Sequence, residues 1–357
     1  MILPKTLCFV AARNIGDITI MSKYFRQLVA HGVADRYVVW TRPSVAFLFE
    51  GIPDCTVVCS NFPVGTNRAF GWSAAVEFMR AALRVRRHHP TFVLDYVGDF
   101  RERLFSRLAG GRRLLHIGWA QGHAYGQIIR NPFGDGHPAF IVQPDIPNVY
   151  AAYQAFTDWL ISTYGRKRPV SASDQVARRS DAASVGLHPF ASQDCRKWPQ
   201  SSWTTLAAAL LEANLEVVAF GAPAERGVLE TMFGEFGDRV RIVTDSIPQF
   251  MHELSKLQLM VGLDSFSIHM AERVGTDSVF INGANDPTLF SPPHALVLRS
   301  SGGCQAWPCY NRPSCVGSTA EYVCIRSINV ERVCEAVADK LLAVSGTDYP
   351  SLRASRP

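Results

Sequence analysis

Residues 259–281 read LMVGLDSFSIHMAERVGTDSVFI, and the order of residue types in this stretch decides the fold. Leu259–Leu263 is a short apolar run, the length of a strand buried on both faces rather than of a helix. Asp264 and Ser265 interrupt it, apolar residues return at helical spacing over Ser267–Val274, and Gly275 supplies a helix stop. A second apolar run, Ser278–Ile281, completes strand, helix and strand, which is the parallel βαβ unit.

The same alternation extends upstream. It predicts strands at Val185–His188, Val217–Phe220 and Val240–Val243, with helices at Ser201–Ala213, Glu225–Phe236 and Pro248–Leu257. Downstream, residues 301–327 are irregular and rich in Cys, Pro and Gly, before a helix at Val330–Ala343. The first half repeats the pattern, with strands at Thr6–Ala12, Tyr37–Trp40, Val57–Cys59, Phe92–Val97 and Arg113–Ile117. Its helices fall at Ile18–His31, Ser73–His89 and Phe100–Ala109. Residues 165–183, GRKRPVSASDQVARRSDAA, lack apolar periodicity and read as a linker region. The expectation is an α/β chain of two doubly wound domains, 1–170 and 184–345, joined by a linker at 171–183 and ending in a tail at 346–357. Such a pair of domains suits one ligand in each, a donor and an acceptor facing a shared cleft.

With 357 residues, 47% hydrophobic and 19% charged, the chain is far from both disordered and small disulfide-stapled proteins. No apolar run approaches the ~18 residues of a membrane-spanning helix. The opening MILPKTLCFVAA is short and weakly basic for a signal peptide and reads as a buried first strand. Nine cysteines without such a signal imply free thiols and a cytoplasmic location. Charge is divided unevenly: residues 1–183 carry 22 Lys and Arg against 13 Asp and Glu, and residues 184–357 carry 14 against 18. The first half is therefore suited to an anionic partner, with nucleic acid, phospholipid headgroups and a phosphorylated glycolipid all open on charge alone.

Four segments could carry chemistry. Arg13-Asn14-Ile15-Gly16-Asp17 ends the first strand, where Gly16 permits a tight turn and Asp17 either caps the following helix or acts as a base. Neither G-x-G-x-x-G nor G-x-x-x-x-G-K-[ST] occurs at this turn, which removes the main support for dinucleotide and P-loop readings. VGLHPFASQDCRKWP, residues 185–199, brings Ser192, Arg196 and Lys197 into a strand-to-helix loop, where cations can meet phosphate or remain solvated. FGAPAER, residues 220–226, sets Gly221 and then Glu225 at a helix start, for the helix dipole or for ligand hydroxyls. Asp264 and Ser265 precede a helix whose N–H groups can meet an anion, with His269 one turn in, either packed or part of the site.

Two surface features accompany them. Arg80, Arg84, Arg86 and Arg87, with Arg101, Arg103, Arg107, Arg112 and Arg113, make a basic face that favours peripheral attachment to an anionic membrane. Residues 118–138 form a long Gly-, His- and Pro-rich loop, whose His123, Arg130 and His137 are candidates for acceptor contacts.

Taken in order, NIGDI, LHPFAS with KWP, FGAPAE, and VGLDSFSIHMAERVGTDSVFINGANDP resemble the bacterial heptosyltransferases of glycosyltransferase family 9, as does the CxxxxCYxRxxC stretch from Cys304 to Cys315. The likeness spans residues 6–340. It implies a GT-B fold of two Rossmann-like domains, the acceptor bound by the first and ADP-heptose by the second, without nucleic acid. Inverting transfer to a lipopolysaccharide core intermediate at the inner face of the cytoplasmic membrane follows as the expected activity, with no cofactor required.

The resemblance implies roles residue by residue. Asp17 is the general base, and Lys197 meets the donor phosphates. Glu225 contacts the nucleoside, while Asp264, Ser265 and His269 surround the phosphates and sugar. Gly16, Ser192 and Gly221 complete the donor set. Phe266 stands where the family usually has Gly, and Lys23 where Pro commonly follows the Gly-Asp turn. Cys304, Cys309, Cys315 and Cys324 resemble the cysteines that coordinate iron in autotransporter heptosyltransferases, which leaves two readings, a structural zinc or iron and, since zinc motifs use tighter pairs, reduced buried thiols, the latter favoured. Three other readings remain: transfer to a protein or natural product, a sugar-nucleotide epimerase, and a sugar-nucleotide-binding protein with a degraded site.

Overall fold

A computed structural model describes residues 6–61, 71–129, 136–166, 183–300, 302–310 and 312–353. The chain divides into two compact units, Met1–Ser173 and Asp174–Pro357.

The first unit holds a parallel sheet of β1 (Thr6–Ala11), β2 (Arg36–Thr41), β3 (Cys55–Cys59), β4 (Phe92–Asp95), β5 (Arg113–Trp119) and β6 (Phe140–Val142), ordered β3-β2-β1-β4-β5-β6. Helices α1 (Ile15–Ala30), α2 (Trp72–Arg86), α3 (Phe100–Leu108), α4 (Ala124–Ile128) and α5 (Val149–Tyr164) connect and cover it. Every residue of β1 is buried, because helices lie on both faces of the sheet and neither face of the strand meets water. Toward α1, Phe9 stacks on Phe25 at 4.7 Å and meets Tyr96 edge-on at 5.6 Å. Toward α2 and α3, Cys8 and Val10 pack with Trp40, Phe78 and Phe105, and the Trp40 and Phe105 rings stack at 3.5 Å. Trp40 can be so deep because its indole N–H donates to Ser60 Oγ at 2.7 Å.

The second unit repeats the order. Its strands are β7 (Ser184–His188), β8 (Glu216–Phe220), β9 (Val240–Val243), β10 (Leu259–Leu263), β11 (Asp277–Asn282) and β12 (Ala295–Arg299), arranged β12-β11-β10-β7-β8-β9, all parallel. The helices are α6 (Gln200–Glu212), α7 (Arg226–Phe233), α8 (Ile247–Leu254), α9 (Phe266–Val274), α10 (Pro287–Phe290), α11 (Val323–Arg326) and α12 (Val330–Ser345). Gly275 ends α9 with φ +78°, a conformation that only glycine takes at little cost.

Counted from its own first strand, each sheet has the doubly wound order 3-2-1-4-5-6. The strand order reverses between β1 and β4 and again between β7 and β10. Crevices outside the carboxyl ends of those strand pairs are where such sheets bind ligands. Three of the motif segments lie there, after Ala11 in one unit and after His188 and Leu263 in the other, with the Tyr96–Asp99 connection beside the first.

Beyond the expected pattern, each sheet gains a sixth strand, β6 or β12. Both are short and follow prolines, Pro138 for one and Pro292 and Pro293 for the other, so neither shows a clear alternation. The expected long helix Glu225–Phe236 is instead a 3-10 turn, then α7, then a second 3-10 segment, Gly234–Arg239, containing Gly237 at φ +56°.

Candidate active site

In the first unit the helix starts earlier than its periodicity implies. Asn14 holds the cap position and α1 begins at Ile15, so Gly16 and Asp17 are the second and third helical residues. Gly16 is thus part of the helix rather than a turn former, and Asp17 is not the cap. Its carboxylate turns instead to Arg13, with Arg13 Nε 3.6 Å from Asp17 Oδ2, and keeps about a quarter of its side chain exposed.

Arg13 also reaches away from the surface. Its Nη1 donates to Glu102 Oε2 at 3.2 Å, and Glu102, in the first turn of α3, is completely buried. Burial pushes the Glu102 carboxyl well above its usual range, with Arg13 opposing. Asp95, at the end of β4, is likewise buried and pushed up by desolvation; its Oδ1 accepts from the N–H groups of Val97 at 2.8 Å and Gly98 at 3.0 Å. Burial works to lower the Arg13 guanidinium, but Glu102, Tyr125, Asp17 and Tyr153 around it outweigh that and hold it firmly charged. Tyr125 and Tyr153 share a hydrogen bond, and burial raises both phenols. One guanidinium therefore anchors a partly exposed carboxylate at a helix N-terminus, a geometry able to take a proton from a hydroxyl. Glu102, Asp95, Tyr125 and Tyr153 were not legible as site residues in the sequence.

The acceptor candidates fare differently. His123 is buried: its Nδ1 accepts from the N–H of Tyr125 at 3.1 Å, capping α4, and its Nε2 stands 3.0 Å from the carbonyl of Ile146. Both ring nitrogens serve local structure, which leaves neither for an acceptor. His137 is exposed, and Arg130 lies outside the described residues.

In the second unit, Asp264 directly follows β10 and is buried. Its Oδ2 accepts from Asn285 Nδ2, and Arg196 braces it from the loop after β7. Arg196 Nη1 donates to the Asp264 carbonyl at 3.2 Å and stands 3.5 Å from Oδ2. Lys197 is exposed and pairs with Asp194 in its own loop, Nζ to Oδ1 2.7 Å. Of the two loop cations, Arg196 is thus the one built into the strand ends. Ser265 precedes α9 without capping it; its Oγ lies 2.9 Å from Ser267 Oγ and 3.4 Å from His188 Nδ1. His269 is half-buried one turn into α9. Ser192 is exposed.

Glu225 serves the helix start, its Oε2 accepting from the N–H of Ala222 at 2.7 Å. At Gly221 a Cβ would come within 2.8 Å of the Phe190 ring and 3.1 Å of Leu229, so close packing excludes a side chain. His188, quoted within the LHPFAS segment but given no role there, is a further residue the sequence missed. It is buried among Phe190, Phe250 and Phe266, with ring centroids 5.6–5.9 Å away. Burial pushes its pKa down to about 4, so it is neutral at pH 7. Phe266 fills the position next to the phosphate-loop candidate, packing on His188 and on Phe250 at 5.1 Å.

None of the nine cysteines forms a disulfide. Among the described residues no three His, Cys, Asp or Glu side chains are gathered so as to hold a metal ion, so Cys304, Cys309, Cys315 and Cys324 do not present a formed site. Cys195 is a fifth thiol in this neighbourhood, pushed up to about 11 by burial with Cys309 and Cys324 nearby.

The family model for glycosyltransferase family 9 (heptosyltransferase) matches residues 83–319, well over half of the chain. The chain belongs to glycosyltransferase family 9. Solved structures agree in fold. E. coli ADP-heptose LPS heptosyltransferase II is 16% identical, with 95% of this chain and 99% of that one aligned at a TM-score of 0.62. E. coli heptosyltransferase WaaC, in a complex with ADP-2-deoxy-2-fluoro heptose, is 14% identical over 94% and 99%, at 0.67. The iron-containing dodecameric glycosyltransferase TibC of enterotoxigenic E. coli is 13% identical over 97% and 78%, at 0.56. No curated protein sequence matches. This family 9 chain therefore has the GT-B fold and is a glycosyltransferase of the heptosyltransferase type.

Proposed function

We propose that this glycosyltransferase moves a heptose from ADP-heptose to a hydroxyl of an anionic glycolipid, a lipopolysaccharide core intermediate, with inversion. The observation that carries the reading is the Arg13-anchored, partly exposed Asp17 in the first turn of α1. In the transfer step the acceptor oxygen attacks the anomeric carbon and a new C–O bond forms. The bond from that carbon to the diphosphate oxygen breaks, ADP departs with the electron pair, and Asp17 takes the hydroxyl proton. Leaving-group charge is met by Lys197, Arg196 and the N–H groups at the start of α9, fixed before the reaction and so effective electrostatically. The family assignment and the ADP-heptose analogue bound by WaaC support the donor. The basic first half supports an anionic acceptor.

The direct test supplies ADP-heptose with a heptose-deficient lipopolysaccharide core acceptor and follows ADP release and acceptor mass. Asp17→Asn should slow turnover by about 10²–10⁴-fold. Near-normal turnover in that variant would reject the base. A thermal-shift comparison of ADP, UDP, GDP and CMP reads the donor separately, since a ligand that binds only the folded chain raises its melting point. Stabilisation by UDP alone would redirect the donor, and transfer to a protein hydroxyl alone would redirect the acceptor.

A further inference from the structure

We propose that α2 docks the protein on an anionic lipid surface, its outward apolar stripe entering the interface and its arginines meeting the headgroups. At 3.6 residues per turn, Phe78, Ala81, Ala82 and Val85 form the face buried against the sheet. Trp72, Val76, Met79 and Leu83 fall on the opposite side, 89%, 44%, 42% and 51% exposed. A helix that only covers a sheet needs one apolar face, and a second one in water is unfavourable unless something removes it from water. Beside it, α3 exposes Leu104 and Arg107 on the same outer side of the layer.

Charge selects the occupant. Arg80, Arg84, Arg86 and Arg87 are all exposed and flank the stripe, and among the described residues none of them forms an ion pair with a carboxylate. The one acid on this side of the helix, Glu77, accepts from the N–H of Asn61 at 2.6 Å. A groove of about 550 Å³ runs along the arginine side, lined by Cys59, Trp72, Val76, Arg80 and Arg84. Trp, Met and Leu on one stripe with arginines at its margins is the composition of a helix lying in a membrane interface. Among the described residues no helix is long and apolar enough to cross a membrane, so contact through α2 is peripheral. Parallel topology puts the start of α2 at the carboxyl edge of the first sheet, the edge that also carries the Asp17 turn. A docked α2 would therefore hold that edge near the lipid.

This inference goes beyond the transferase reading and is measured without donor or acceptor. The full chain is sedimented with vesicles of phosphatidylcholine, alone or mixed with phosphatidylglycerol, at low and high salt. Wild type should pellet with the mixed vesicles and be released by salt. Arg80→Gln with Arg84→Gln should weaken binding by about fivefold per arginine. Trp72→Ser with Leu83→Ser should weaken it by about tenfold or more, with only a small change in melting point because Trp72 is almost wholly and Leu83 half exposed. Equal binding to both vesicle types, no binding, or undiminished binding by these variants overturns the proposal. So does a dimer, seen by sedimentation velocity without lipid, that dissociates in the Trp72→Ser/Leu83→Ser chain, since the stripe would then belong to a second copy. Transfer to a water-soluble core oligosaccharide should be unchanged in the Trp72→Ser/Leu83→Ser chain, which separates failure of docking from failure of the transferase reading.

Discussion

Arg13 donates to Glu102 at 3.2 Å across 89 residues of sequence, and the same guanidinium stands 3.6 Å from Asp17. A fully buried carboxyl therefore sets where a partly exposed one sits. In Glu102→Ala the Arg13 charge loses its inner partner, which should cost about 3 kcal/mol of stability by denaturant unfolding. The surviving folded enzyme should lose kcat with little change in donor KM, because Asp17 loses its fixed orientation rather than the donor its contacts. Glu102→Gln, which keeps the shape, should recover most of the stability.

The two loop cations should separate by assay. The Lys197–Asp194 pair is exposed and worth no more than about 1 kcal/mol, so Lys197→Ala should leave the melting point nearly unchanged. A raised KM for ADP-heptose in that variant would then report a lost phosphate contact. Arg196→Ala should lower both the melting point and donor affinity, because Arg196 also braces the strand end at Asp264.

His188 gives a pH dependence of known sign. Its folded pKa is pushed down to about 4 by burial, so from about pH 6.5 down to 4 the unfolded chain takes a proton that the folded one refuses. Stability is fully present above that window and is lost as pH falls through it, by about 3 kcal/mol overall. Asp95 and Glu102 act in the opposite direction: their raised pKa values favour the folded chain at low pH, an advantage lost as pH rises through them. Comparing His188→Phe with wild type cancels these carboxyls. Urea unfolding at pH 7 and pH 4.5 should show the difference shifting in the variant's favour at the lower pH.

Trp40 tests the core of the first unit. Trp40→Ala removes the ring stacked on Phe105 and should destabilise by about 4 kcal/mol. Trp40→Phe should cost less, its loss including about 1 kcal/mol from the hydrogen bond to Ser60.

What was legible in the chain alone was the local part. Alternating strand and helix periods depend on neighbours in sequence, so the βαβ rhythm, two doubly wound units and the Asp264–Ser265 break between β10 and α9 could be read directly, whereas Gly16 and Asp17, expected in a turn, are already helical. The helix of 16 residues at Val149–Tyr164 escaped because its aromatic residues blur its polar face, and β6 and β12 because three to five residues carry little period. The tertiary structure alone decided the environments. Glu102 becomes the anchor of Arg13 only when α3 meets the first strand's end, and His123 turns from an acceptor candidate into a cap when both its nitrogens find backbone. His188 becomes a neutral, buried ring only when Phe190, Phe250 and Phe266 converge from separate segments. Desolvation and charge pairing act through space over a few ångströms, and sequence periodicity carries no record of which distant residues come that close.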